Sequence, residues 1–142
     1  MRKLLLTTGF ILSSISLLVA QHGAHGGNKP ATIQHISKFL SDPELSKFKF
    51  ETLVFELGPG KSDTISHRHD CDVFVVVLEG TCDFGQEFKK PVTLKAGEIF
   101  HEERNVIHSL TSNPDPENPM KLLVLFVRKD GREGYIPLYP KK

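Results

Sequence analysis

The chain has 142 residues, of which 39% are hydrophobic and 25% charged, with ten Phe and a formal net charge of +1. That length suits one domain, and the apolar content is that of a chain that folds around a core, not one that stays disordered. The 18 basic residues nearly balance the 17 acidic ones, and the basic residues form short pairs such as Lys89-Lys90 and Lys141-Lys142. This argues against nucleic acid as a partner, since binding a phosphate backbone calls for a clustered basic surface.

Residues 1–20 place Arg2 and Lys3 before an apolar run over 4–19 that ends at Ala20, the layout of a secretory signal peptide. The run carries Thr7, Thr8, Gly9, Ser13, Ser14 and Ser16 and falls short of the 18 or so apolar residues of a spanning helix. The expectation is cleavage near Ala20, export to the periplasm or the extracellular space, and no membrane association after processing. Removal of the leader takes away Arg2 and Lys3, leaving one more acidic residue than basic.

Residues 21–49 read as a leader followed by one short helix. The stretch 21–31 is rich in Gly and polar residues, so His22 and His25 sit in a solvated tail with no fixed geometry for ligation. Over 33–40, Ile33, Ile36, Phe39 and Leu40 recur at spacings near three and four, which predicts an amphipathic helix ended by Ser41-Asp42-Pro43.

From residue 50 to 128 the texture is one of short β-rich runs at 52–57, 64–69, 73–78, 81–84, 92–94, 99–102, 106–110 and 122–127. Gly58-Pro59-Gly60, Glu79-Gly80, Lys95-Ala96-Gly97 and 113–119 punctuate them. Many short strands with Gly and Pro turns, and no helix to cross between parallel strands, predict an all-β antiparallel sandwich or barrel. Residues 129–142 read as an irregular C-terminal tail. If Glu79-Gly80 is a tight hairpin turn, residue 77 pairs with 82 and residue 71 with about 88. That register keeps Cys71 and Cys82 too far apart for a disulfide, so both thiols are expected free.

Ser66-His67-Arg68-His69 falls on a predicted strand, where side chains at i and i+2 share a face with Cα atoms roughly 6.6 Å apart. Two imidazoles at that separation can chelate one ion. Alone the pair is a weak signal; its context makes it specific. Gly60 precedes it, an apolar run ending in Val77-Leu78-Glu79-Gly80 follows, and Gly97-Glu98-Ile99-Phe100 leads to His108 eleven positions past Gly97.

Over about residues 50–128 this arrangement resembles the two motifs of the cupin superfamily. The resemblance implies a double-sheet jelly-roll barrel and a metal held by His67, His69 and His108, with Gly80 and Gly97 at turn positions. It also exposes departures. The position where the family usually carries a metal-binding Glu is Val73, and Asp72 beside it points to the opposite face by strand alternation. Two positions of the second motif hold Glu103 and Asn105, and Asn tolerates the left-handed turn. Glu102 is the replacement carboxylate if 103–107 connect two antiparallel strands and set it opposite His108; the alternative is a solvent-facing Glu. His101 alternates outward, Cys71 reads as turned out of the ligand shell, and Cys82 as a small packed hydrophobe.

The expected cofactor is one divalent transition metal, Fe, Mn, Ni, Cu, Co or Zn, because imidazoles with at most one carboxylate suit all of these. Three protein ligands leave open coordination positions in an apolar interior lined by Phe74 or its neighbours Val75, Val77, Phe100 and Leu110, and the resemblance implies a metal-dependent enzyme, dioxygenase-like or isomerase-like, acting on a small oxygen-bearing molecule. The alternative is a non-catalytic module that captures a small ligand or metal. The resemblance also implies a homodimer.

Overall fold

The computed structural model describes residues 31–139. Within them lie eleven strands and one 3-10 turn at Pro43–Leu45: β1 Ala31–Phe39, β2 Phe48–Leu57, β3 Ser62–Asp63, β4 His67–Arg68, β5 Asp72–Glu79, β6 Thr81–Gln86, β7 Val92–Lys95, β8 Ile99–Glu102, β9 His108–Ser112, β10 Met120–Lys129 and β11 Ile136–Pro137. One sheet runs β1-β2-β10-β5-β8; the other runs β11-β4-β9-β6-β7, with β3 also paired to β9. All the pairings are antiparallel, so the expected all-β double-sheet barrel is the observed fold.

Strand alternation builds the core. Val73, Val75 and Val77 on β5 turn inward and are buried, as are Leu57, Met120 and Leu122 from the same sheet and Cys82 and Phe84 from the other. Each such aliphatic side chain contributes about 1.5–3 kcal/mol by leaving water. Cys71 is buried in the same cluster, and both cysteines are free.

Four expectations are corrected. Residues 33–40 form no helix: Ala31–Phe39 is an edge strand paired along β2, with a register shift between Gln34 and Ile36. That bulge explains the misleading spacing, because an extra residue turns a period of two into an apparent three. Glu79-Gly80 is not a hairpin turn, since β5 and β6 belong to different sheets. Gly80, at φ 78°, carries the chain round the barrel corner, where a Cβ would stand 3.0 Å from the Pro119 carbonyl oxygen. Of the predicted strand 64–69 only His67–Arg68 is strand, as β4, and β3 lies before it at Ser62–Asp63. The C-terminal segment is not wholly irregular, for Ile136–Pro137 adds a strand beside β4. The signal-peptide and leader expectations for residues 1–30 lie outside the described residues.

Candidate metal centre

Two neighbouring strands of one sheet and an edge strand of the other converge on a single point in the barrel. β4 pairs with β9 so that His67 stands directly opposite His108, and His69 follows two residues on. From the other sheet, β8 pairs with β5 and places Glu102 opposite Val73. Glu102 therefore reaches His108 across the barrel interior. It is not the hairpin neighbour that the sequence suggested, because β8 and β9 lie in different sheets.

His69, Glu102 and His108 are all buried, and each offers a ligand atom such that all three lie within 4.8 Å of one another. Glu102 Oε2 is 2.9 Å from His69 Nε2 and 3.3 Å from His108 Nε2. These are contacts without hydrogen-bond geometry around His108: Glu102 Oε2 and both ring nitrogens of His108 are buried with no hydrogen-bond partner. Leaving such groups unsatisfied costs about 1–3 kcal/mol each, and a cation among them removes that cost. The donor set fits a divalent transition metal.

The histidines are oriented from behind. The Nδ1–H of His67 donates to the Ile65 carbonyl at 2.8 Å, and that of His69 donates to the Gly134 carbonyl. Since a carbonyl can only accept, both rings carry their proton on Nδ1, and Nε2 is left bare for a metal. His67 sits at the rim of the cluster, its ring centroid 5.0 Å from His69 and 5.7 Å from His108, outside the three-residue set. It packs against the Tyr135 ring at 4.5 Å.

Titration behaviour follows burial. Desolvation pushes the His108 pKa down to about 4 against a smaller opposing pull from Glu102. Burial also lowers His67, partly offset by the Ile65 carbonyl. At His69 burial acts in the same direction, yet the Glu102 carboxylate and the Gly134 carbonyl together outweigh it and the pKa is raised. His108 and His67 are thus held neutral, the form that ligates, whereas the Glu102 carboxylate favours the protonated form of His69.

The cluster opens into a cavity of about 710 Å³. One wall is apolar and comes from β2 and β10, with Leu53, Phe55, Val124 and Phe126; the facing wall carries Asp63, Thr111 and Tyr135. Of the expected lining residues, Val75 faces this cavity, while Val77 and Phe100 belong to the packed core. Phe74 and Leu110 do not line it. Phe74 points outward and stacks on His101 at 4.6 Å. Thr111 takes the place of Leu110 because the register of β9 against β6 shifts between Gly85 and Gln86. His101 bonds Asp72 at 3.0 Å on the same outer surface. Cys71 is absent from the ligand cluster, its thiol pushed up to about 11 by burial.

Residues 53–126, more than half of the chain, match the family model described as Cupin domain. The chain belongs to the cupin family. Among solved structures, this cupin is similar to an uncharacterized conserved protein with a double-stranded beta-helix domain from Klebsiella pneumoniae, with TM-score 0.61, 18% identity, and coverage of 79% of this chain and 86% of that one. A cupin 2 domain-containing protein from Halorhodospira halophila gives TM-score 0.61 and 18% identity over 84% of this chain and 76% of its own. A polyketide cyclase from Streptomyces resistomycificus gives TM-score 0.53 and 16% identity over 75% and 82%. At these identities the likeness is one of fold. A search of curated proteins returns no match.

Two features of this cupin site left no signal in the sequence. Gly134 and Tyr135 come from the C-terminal segment, brought over the site by the β4–β11 pairing and by the Leu138 N–H bond to the Ser66 carbonyl. Nothing local to residues 133–138 announces that destination.

Proposed function

We propose that this cupin is a metal-dependent enzyme that binds one divalent transition ion, Fe, Mn, Ni, Cu, Co or Zn, through His67, His69, Glu102 and His108. It acts on a small oxygen-bearing molecule with an apolar body, in a dioxygenase-like or isomerase-like reaction. The observation that carries the reading is the pair of buried, unpartnered groups, Glu102 Oε2 and the His108 nitrogens, beside a largely apolar cavity lined by His67, His69 and Glu102. When bound, the ion supplies Lewis acidity and open positions at which oxygen atoms of a substrate can chelate. The chain's own residues then do the rest: Leu53, Phe55, Val124 and Phe126 exclude water, and Asp63, Thr111 and Tyr135 present polar groups to one side of the ligand.

We also propose that residues 1–20 are a cleaved signal peptide and that the mature protein, starting near Gln21, works in the periplasm or outside the cell. Mass spectrometry of the processed chain checks this; an intact Met1 species in the membrane fraction overturns it.

The functional test begins with titration of metal-free protein with each divalent ion. Oxygen uptake and product analysis on catechols, flavonols and diketones follow. Turnover that depends on the metal and is lost in His108→Ala supports the enzyme reading. Stoichiometric metal and ligand binding without turnover would instead make the protein a non-catalytic capture module. Failure to bind any divalent ion sinks both.

A further inference from the structure

Charge is spread unevenly between the cavity and the rest of the molecule. The chain carries 18 basic residues, yet among the described residues that line the cavity none is Lys or Arg, and the acidic ones are Asp63 and Glu102. Glu102 faces the histidines, which leaves Asp63. It is half-buried on β3, and its cross-strand partner on β9 is Thr111, which lines the same cavity. Such partners stand about 4.5–5.5 Å apart at Cβ, so a carboxylate and a hydroxyl oxygen face the cavity side by side. Asp63 Oδ1 accepts the Ile65 N–H at 3.1 Å. Among the described residues Asp63 enters no ion pair, whereas Glu51, Asp70, Glu79 and Asp130 each hold a Lys or Arg. Along β9, Thr111 lies three residues past His108, a distance of roughly 10 Å in an extended strand.

We infer that the substrate carries a protonated amine, held at Asp63 while its oxygen atoms meet the ion; this rests on the metal-dependent function proposed above. A ligand that fills the cavity strips water from Asp63, and a carboxylate that loses water without gaining a cation is costly. A primary ammonium group offsets that cost with charge-assisted hydrogen bonds. Its three N–H donors suit the remaining carboxylate oxygen and the Thr111 hydroxyl. Tyr135 on the same wall adds an aromatic ring, and such rings attract ammonium groups. The same carboxylate acts against the opposite class. A phosphate or a second carboxylate at that end of the ligand meets Asp63 with no Lys or Arg beside it among the described lining residues, and like charges between apolar walls repel. The spacing along β9 sets the size: a short apolar body, resting on Leu53, Phe55, Val124 and Phe126, separates the amine from the chelating oxygens.

Three catechols that differ only at the end of a short tether supply the test: dopamine with an ammonium group, neutral ethylcatechol, and dihydrocaffeate with a carboxylate. Each is titrated calorimetrically at neutral pH into protein loaded with Zn(II), which binds catechol oxygens without redox chemistry. Dopamine should bind at least about tenfold more tightly than ethylcatechol, and dihydrocaffeate at least about tenfold more weakly. Asp63→Asn keeps an oxygen to accept the Ile65 N–H and removes the charge. The three affinities should then converge to within about threefold, with Zn(II) affinity unchanged. Asp63→Glu, which keeps the charge, should keep the wild-type order, and Asp63→Lys should reverse it. Wild-type protein that binds all three catechols alike overturns the inference and leaves the metal-dependent function standing, since the catechol oxygens still find the ion. A dopamine preference that survives Asp63→Asn overturns it equally. Protein that takes up Zn(II) and binds no catechol overturns both, because chelation at the ion is what they share.

Discussion

Val73 and Glu102 are cross-strand partners on β5 and β8, both turned inward and both buried. Side chains so placed stand about 4.5–5.5 Å apart at Cβ, so a carboxylate on either strand can reach the same region of the barrel. The site has its acid on the neighbouring strand, and the apolar Val73 fills the position from which the family's Glu usually projects.

That relation predicts a transfer. Glu102→Gln should lower metal affinity at least about tenfold, and adding Val73→Glu to that variant should recover most of the loss. Isothermal titration with one ion across the pair decides it; no recovery would mean that the two positions do not serve one ion.

The histidines should not be equal. His69→Ala and His108→Ala remove members of the closest cluster and should each cost at least about tenfold in affinity, with His67→Ala the mildest of the three. His101→Ala should leave metal affinity unchanged, because its ring lies on the outer surface against Phe74 and Asp72. A larger loss at His101 than at His108 would require the site to be redrawn.

Metal-free protein should lose stability as pH falls from about 6.5 toward 4. The folded pKa of His108 lies near 4, below the ordinary 6.5, and His67 is shifted the same way. The unfolded chain therefore binds more protons in this window, and stability rises with pH. His69, raised by Glu102, acts in the opposite sense and offsets part of the effect. Thermal melts in chelator across this range test the slope; a rise in Tm on acidification contradicts the assignment.

Both thiols should be inert in the native protein. Burial pushes Cys71 up to about 11 and Cys82 up to about 12, so almost no thiolate exists at neutral pH. A thiol reagent should count none in the folded protein and two after unfolding. Rapid native labelling would show that the barrel opens at Cys71 or Cys82.

The all-β class and the His67–His69 pair were legible in the chain because each rests on short-range pattern, whereas His108 joined them only through the resemblance to the cupin motifs. Alternation of period two marks Val73, Val75 and Val77 as one face, and i, i+2 spacing puts His67 and His69 together wherever the strand ends up. Sheet membership is a different kind of information. Whether Gly80 turns a hairpin or a barrel corner depends on partners forty residues away at Pro119 and Met120, and the bulge in β1 disguised a strand as a helix. The inward aim of Glu102 depends on β8 pairing with β5, and the Gly134 carbonyl behind His69 depends on β11 closing against β4. Local sequence determined which residues could ligate; long-range strand pairing, paid for by burial of the common core, decided which of them meet.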